Sequence, residues 1–508
     1  MNTRAWNDTN SLFERIGFSA MFIGDKEAMN SRSAKCLLLV ASVLWPRELV
    51  AQKAPPTPDR PWHSKEERDA ARQLVADQQP AWNIDPQKVY TLAELIDLAE
   101  QHNPETRAAW ERARMRADEL GVARSVYYPT LVATVFAASL RQPALIGEYF
   151  HRQTIAFVSP TLQVEYLIFD LGGRSGAMDV AKANLLIQNL EFNNTHRRVI
   201  YQVASAYFRL LNSKGQREAA EISLKNAEAV ESDTESRLRN GLATRPDLLE
   251  TTAARAQADY DLQATVGAEE ISQGELATAM GLAADTHFHV QSISELPIPT
   301  TAADSLGEEI DRAFKQRPDL LAGIARIRSA EGELKRAKST YFPEIRFGGN
   351  GGLIRGYGQQ DLYSGHYGEG ETWSAGLEMR WTLFDGAGRE KRIAAAKREE
   401  NAAEADLHAT RDQIEQEVFT SYTNLRTALR QQQVATALLM ATTQSYEAAR
   451  QSYDLGLRSQ LDVVSAQKSL AQARSEDVAA RSSLLLQVAN LAFQTGDMLQ
   501  MQAQPAKP

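Results

Sequence analysis

The chain has 508 residues, 43% hydrophobic and 24% charged, with a formal net charge of −9. That balance suits folded domains and is too polar for a bundle of membrane-spanning helices; no run approaches the ~18 consecutive apolar residues such a helix needs. The acidic excess argues against nucleic acid as a partner, which calls for a basic face.

The only apolar run near the N-terminus is Cys36 to Trp45. Arg32 and Lys35 precede it, and Ala51 follows at a cleavage-like position. This is the pattern of a secretory signal over residues 1–51, and counting from Met29 gives it an ordinary length. The alternative is an ordinary buried segment. Cys36, the chain's one cysteine, stands ahead of the apolar run, whereas an acylated cysteine would follow it. Residues 52–88 then read as a proline-rich linker and N-terminal segment.

From Val89 onward, landmarks recur. A helix over Thr91 to Val126 ends at Tyr127-Tyr128-Pro129, and one over Asp319 to Thr340 ends at Tyr341-Phe342-Pro343. Pro104 lies 25 residues before Pro129, and Pro318 lies 25 before Pro343. Phe169-Asp170-Leu171-Gly172-Gly173-Arg174 is matched by Phe384-Asp385-Gly386-Ala387-Gly388-Arg389. From each arginine it is 67 residues to a Gly-Leu pair, Gly241-Leu242 or Gly456-Leu457, and 40 more to Gly281 or Gly496. Landmarks held in register this way imply an internal duplication. The repeats are 89–284 and 307–496, joined by a link over 285–306 and followed by a tail over 497–508.

Each repeat reads helix, strand pair, very long helix, break, long helix. The strand pairs fall at 130–169 and 343–384. Trp373, Ala375, Leu377, Met379, Trp381 and Leu383 alternate with polar or small residues, and Leu162, Val164, Tyr166 and Ile168 alternate with Gln163, Glu165 and Leu167. That is the period of a half-buried strand, and such strands are long enough to cross a bilayer when tilted. Trp373 and Trp381 suit an aromatic girdle. Arg141 to Gln153 and Tyr357 to Gly370 read as exposed loops. The alternative is a soluble amphipathic hairpin. Four strands cannot close a barrel, and open edges are not tolerated in lipid, so membrane strands here require further copies.

The long helices lie at 174–281 and 389–496. A 67-residue helix spans roughly 100 Å and needs lateral support. Val199, Val203, Ala206 and Leu210 form a 4-3-4 stripe, repeated by Ile414, Val418, Ser421 and Leu425. No phosphate loop, HExxH, paired-cysteine or Gly-x-Ser-x-Gly motif occurs. The chain therefore reads as a non-enzyme with no cofactor and no metal; His287 and His289 lack further ligands at zinc-like spacing.

Asn103-Pro104-Glu105, Tyr128-Pro129, Phe384-Asp385-Gly386, Gly388-Arg389 and the two Gly-Leu breaks, in this order and spacing, resemble the TolC-like outer-membrane channel family. The resemblance implies a mainly α fold with a membrane β-barrel. Three chains would give four strands each to a twelve-stranded outer-membrane barrel. Their long helical hairpins would form a periplasmic α-barrel, with 285–306 in its equatorial belt. The implied function is an exit duct of a tripartite efflux pump or type I secretion system. Its implied partners are two further copies, outer-membrane lipid, a periplasmic adaptor (membrane fusion protein) and an inner-membrane pump of RND or ABC type. Gly241, Leu242, Gly456 and Leu457 become adaptor-docking tips. Tyr453, Arg458, Asp462 and Asp247 become a gate. Ser465 stands where members with a tight cation constriction carry a second aspartate, which puts strong divalent block in doubt. The competing reading is a periplasmic coiled-coil scaffold or adaptor without a barrel.

Overall fold

The computed structural model describes residues 69–73, 84–146, 148–299, 305–360 and 363–499. The signal segment, most of the linker, part of the 285–306 link and most of the tail lie outside the described residues. The chain divides into two units, Met1–Pro80 and Ala81–Pro508. In the first, residues 69–73 are helical, with Arg72 paired to Asp69 at 3.5 Å.

The second unit begins with β1 (Val89–Tyr90) and α1 (Leu92–His102). Thr91 and Glu94 close a reciprocal capping box at the start of α1. The helix expected to run unbroken to Val126 stops at Asn103. Pro104 has no N–H and pushes the residue before it out of the α region. Asn103 is accordingly extended, and its side chain accepts from Glu105 N–H at 2.7 Å to start α2 (Pro104–Ser125).

Four strands follow in two hairpins, β2 (Thr130–Ile146) with β3 (Tyr149–Phe169), and β5 (Glu344–Gln360) with β6 (Tyr363–Arg380). They form one antiparallel sheet in the order β2-β3-β5-β6, which leaves β2 and β6 as edges. The expected loops 141–153 and 357–370 are mostly strand. Pairing continues through Arg141↔Thr154 and Tyr357↔Tyr367. Their side-chain alternation changes phase, which hid them. On the face that carries Leu353 and Trp373 lower down, Arg355 now pairs with Glu369, while Phe136 and Phe157 sit together on the other face. Strands of 17 to 21 residues run roughly 55–70 Å, about twice the hydrocarbon core of a bilayer. Pro160 in central β3 cannot donate to β5; the Ser159 hydroxyl donates to Leu353 C=O at 3.1 Å in its place.

From β3 the chain enters α3 (Gly173–Arg239) and returns along α4 (Arg245–Ala279). The second repeat runs α5 (Leu306–Gln316), α6 (Pro318–Ser339), the second hairpin, α7 (Gly388–Asp454) and α8 (Gln460–Thr495). Helices α3 and α7 have 67 residues each. Helix α3 packs on α4, α6 and α8, and α7 packs on α6 and α8. Both 4-3-4 stripes are buried. The first lies in the largest core cluster, at the middle of α3, where Leu95, Leu276, Met280 and Leu485 join it. Strand β4 (His289–Val290) pairs in parallel with β1, and Lys214 Nζ holds Val290 C=O at 3.1 Å, so the link is tied to the middle of α3. Gly176 and Gly332 let α3 and α6 touch, since an added Cβ at Gly176 would stand 2.8 Å from Gly332 C=O.

Candidate functional site

Both helix tips are built alike. Gly241 has φ +75° and Gly456 φ +74°, left-handed values that only glycine adopts without strain. Leu242 N–H reaches back to Arg237 C=O at 2.8 Å, and Leu457 N–H to Ser452 C=O at 2.8 Å. These six-to-one bonds, with the shorter bonds from the glycine N–H groups, end each helix in a Schellman motif. The next helix starts at once. Thr244 N–H donates to Asp247 Oδ2 at 2.8 Å, and Ser459 N–H to Asp462 Oδ2 at 3.0 Å. The hydroxyls of Thr244 and Ser459 hold these carboxyls below the usual range. Asp247 and Asp462 thus cap their own helices. Arg458 is exposed and lowers Asp462 further through charge.

The leucines of the two turns face outward. Leu242 is 75% and Leu457 76% exposed, and Leu455, Leu461 and Leu249 are exposed beside them. Tyr453 does not meet Arg458. It lies under Arg237, whose guanidinium sits 4.6 Å above the ring. Arg237 also bonds Asp233 on its own helix at 3.1 Å and Asp454 on α7 at 2.5 Å. At the tip, a polar bridge between the two helical hairpins runs from Arg237 to Asp454 and Tyr453. Arg237 escaped the sequence reading because the bridge joins positions that are not equivalent in the two repeats.

At the other end of α3 and α7, the Phe-Asp motifs turn strand into helix. Asp170 Oδ2 accepts from Arg174 N–H at 2.5 Å, and Asp385 Oδ2 from Arg389 N–H at 2.9 Å. The arginine side chains return to carbonyls ahead of the turn, Arg174 to Leu167 and Ile168 in β3, and Arg389 to Leu383 just past β6. They stack on Tyr127 and Tyr341, so the Tyr-Tyr-Pro and Tyr-Phe-Pro signals meet the Phe-Asp signals in space.

The sheet has two chemistries. One face carries Leu131, Leu162, Val164, Phe347, Leu377 and Met379 in adjacent register. Trp373 stands at its far end, 81% exposed, and Trp381 lies just past β6, donating to Tyr341 C=O at 3.0 Å. The other face carries Gln163, Glu165, Arg346, Asn350, Ser374 and Glu378 around a hollow of about 1140 Å³.

Where the halves meet, Arg317 is buried and bonds Asp319 at 2.6 Å and Glu417 at 2.7 Å. Arg317 also reaches Gln494 C=O at 3.4 Å, as Asn103 reaches Ala279 C=O at 3.0 Å in the first repeat. Arg197, also buried, donates to Phe493 C=O at 3.2 Å; burial and the charge of Arg317 lower it to about 10. Among the described residues, no group of three or more His, Cys, Asp or Glu is placed to hold a metal ion, and no helix is long and apolar enough to cross a membrane.

A family model described as outer membrane efflux protein matches the chain twice, at residues 95–282 and 310–497. Protein CyaE of Bordetella pertussis is 26% identical over 80% of this chain and 84% of its own length. Outer membrane efflux protein BepC of Brucella suis is 22% identical over 82% of this chain and 89% of its own. The crystal structure of the outer membrane protein VceC from Vibrio cholerae superposes with a TM-score of 0.65 at 19% identity, over 80% of this chain and 96% of that one.

Proposed function

The chain belongs to the outer membrane efflux protein family, and from that premise we propose that three copies form the exit duct of a tripartite efflux pump or type I secretion system. The family is one of outer-membrane ducts, not of enzymes, and the protein resides in the outer membrane and extends into the periplasm.

The observation that carries the trimeric reading is the sheet. It has one apolar and one polar face, and its edges β2 and β6 are open. Lipid tolerates no open edge, so β6 of one copy pairs with β2 of the next, and three copies close twelve strands. The apolar face with Trp373 and Trp381 meets outer-membrane lipid, and the polar face lines the lumen. The helical hairpins continue the duct into the periplasm as an α-barrel roughly 100 Å long.

Conduction is passive, driven by an inner-membrane pump of RND or ABC type. A periplasmic adaptor docks at the tips, where Leu242 and Leu457 are presented by rigid turns. The closed tip is held by the bridge of Arg237 to Asp454 and Tyr453, with Arg458, Asp462 and Asp247 supplying the surrounding charge. Exposed bridges of this kind are worth about 0–1 kcal/mol each. That is enough to bias a gate and weak enough for a docked partner to release.

Protein extracted from outer membranes is expected to migrate as a trimer unheated and as single chains after boiling, and to conduct ions in planar bilayers. A heat-insensitive, non-conducting protein recovered from the soluble periplasm would sink the channel reading and favour the scaffold. A scaffold has no use for the apolar stripe from Leu131 to Met379.

A further inference from the structure

We propose that the barrel lumen carries, where the sheet joins the helices, a cation-favouring vestibule whose selecting group is Glu165; this rests on reading the polar face as the lumen wall.

The strand register places the charges. On the polar face, Glu344 and Arg346 of β5 lie directly opposite Arg380 and Glu378 of β6. Within each strand the charges are also paired. Arg346 holds Glu344 through two bonds of 3.1 Å, and Arg380 holds Glu378 at 2.9 Å. The result is a closed checkerboard in which both arginines are neutralised. Glu165 of β3 stands one row further in, opposite Gly348, which in turn faces Gly376. Among the described residues Glu165 forms no hydrogen bond; it acts on the Arg346 guanidinium through charge alone, as a third carboxylate beside Glu344 and Glu378.

The two glycines are informative for the opposite reason to those at the tips. A Cβ added at Gly348 or at Gly376 would meet nothing within 4 Å. Glycine in a strand interior is unfavourable and packs nothing, so local packing does not ask for it here. What the glycines do is clear the row that Glu165 occupies. The hollow of about 1140 Å³ lies over this row, with Tyr128 and Ser125 at its rim. On this face, between the helical end and Thr372, each chain carries three carboxylates and two guanidiniums. One carboxylate is in excess, and three copies set three Glu165 carboxylates around one lumen. Rings of carboxylates favour cations, and low-dielectric walls focus their field. Positively charged or zwitterionic cargo passes this point more readily than anionic cargo of the same size.

The test must report the potential at this point rather than at the helix tips, which lie in series with it. In a Cys36→Ser background, Gly376→Cys supplies a single thiol in the row of Glu165. Its modification from outside is followed with a trimethylammonium and with a sulfonate methanethiosulfonate reagent, each rate divided by that on a free thiol. The cationic reagent is expected to react faster. Adding Glu165→Gln should lower the cation-to-anion rate ratio by roughly twofold or more, and Glu165→Asp should preserve it. Arg346→Gln releases Glu344 and should raise the ratio, which keeps the test decisive if Glu165→Gln fails to assemble as a heat-sensitive oligomer. A ratio unmoved by these variants overturns the vestibule. A thiol at 376 that neither reagent reaches overturns the lumen reading itself.

Discussion

Arg237 Nη2 lies 2.5 Å from Asp454 Oδ1, and this contact joins α3 to the far end of α7 at the tip. The guanidinium is also stacked on Tyr453. Arg237→Ala removes both links at once. Closed-state conductance of the purified channel should then rise several-fold, since three bridges of about 0–1 kcal/mol each are lost. Asp454→Asn should do less, because the stack on Tyr453 remains. The charge swap of Arg237→Asp with Asp454→Arg should restore part of the seal. Raising ionic strength should mimic the single variants by screening the pair. Equal conductance in all of these would remove the bridge from the gate.

Leu242 and Leu457 are held outward by Schellman turns whose glycines have positive φ. Leu242→Asp with Leu457→Asp should abolish co-purification of the adaptor while leaving the trimer intact on unheated gels. Leu242→Met with Leu457→Met should retain it. Gly456→Ala tests the turn separately. It should cost about 1 kcal/mol at the tip, seen as faster proteolysis between Leu455 and Leu461 with no change at the sheet.

The repeat made much of this legible. Gly241, Gly456 and the capping carboxylates could be found because a turn chemistry leaves a local signature, and the signature occurs twice. The strand cores could be found because one face is apolar and the other polar. The upper strands were not, since the phase of alternation reverses above Leu353 and Trp373. There Arg355 and Glu369 occupy the face that lower down is apolar. Arg237 was invisible for another reason. A cross-hairpin contact between non-equivalent positions has no local pattern, and the duplication draws attention to equivalent ones. The break at Asn103 had its signal in Pro104, which has no N–H to continue the helix before it.

Asp385 carries the junction of strand and helix in the second repeat, accepting from Arg389 N–H and from the Arg392 guanidinium, both at 2.9 Å. Asp385→Ala should destabilise the junction by about 1–2 kcal/mol through loss of the cap and of its charge at the helix N-terminus. The temperature at which the trimer dissociates on a gel should fall. Asp385→Asn keeps an acceptor and should fall less. Asp170→Ala should behave as Asp385→Ala does, since Asp170 makes the equivalent bond to Arg174.

Arg317 sets the acid limit where the two halves meet. Burial alone would raise the Asp319 carboxyl; the hydrogen bond and charge of Arg317 overcome it and hold Asp319 below the ordinary carboxylate range. A carboxyl depressed in the folded state takes up its proton more readily in the unfolded chain. It therefore contributes stability that is complete above about pH 4 and declines as the pH falls further toward the folded-state value. Arg317→Met removes the cation that bonds Asp319 and Glu417 and leaves them only the more distant charge of Arg197. At pH 7 it should cost about 2–3 kcal/mol, below the range for a fully buried pair because both carboxylates are partly exposed. Denaturant midpoints measured from pH 7 to pH 3 should show the deficit shrinking below about pH 4, as the wild type loses what the variant never had. A deficit of the same size at every pH would mean that Arg317 acts through packing alone, and that its charge does no more for the second repeat than the neutral Asn103 does in the first.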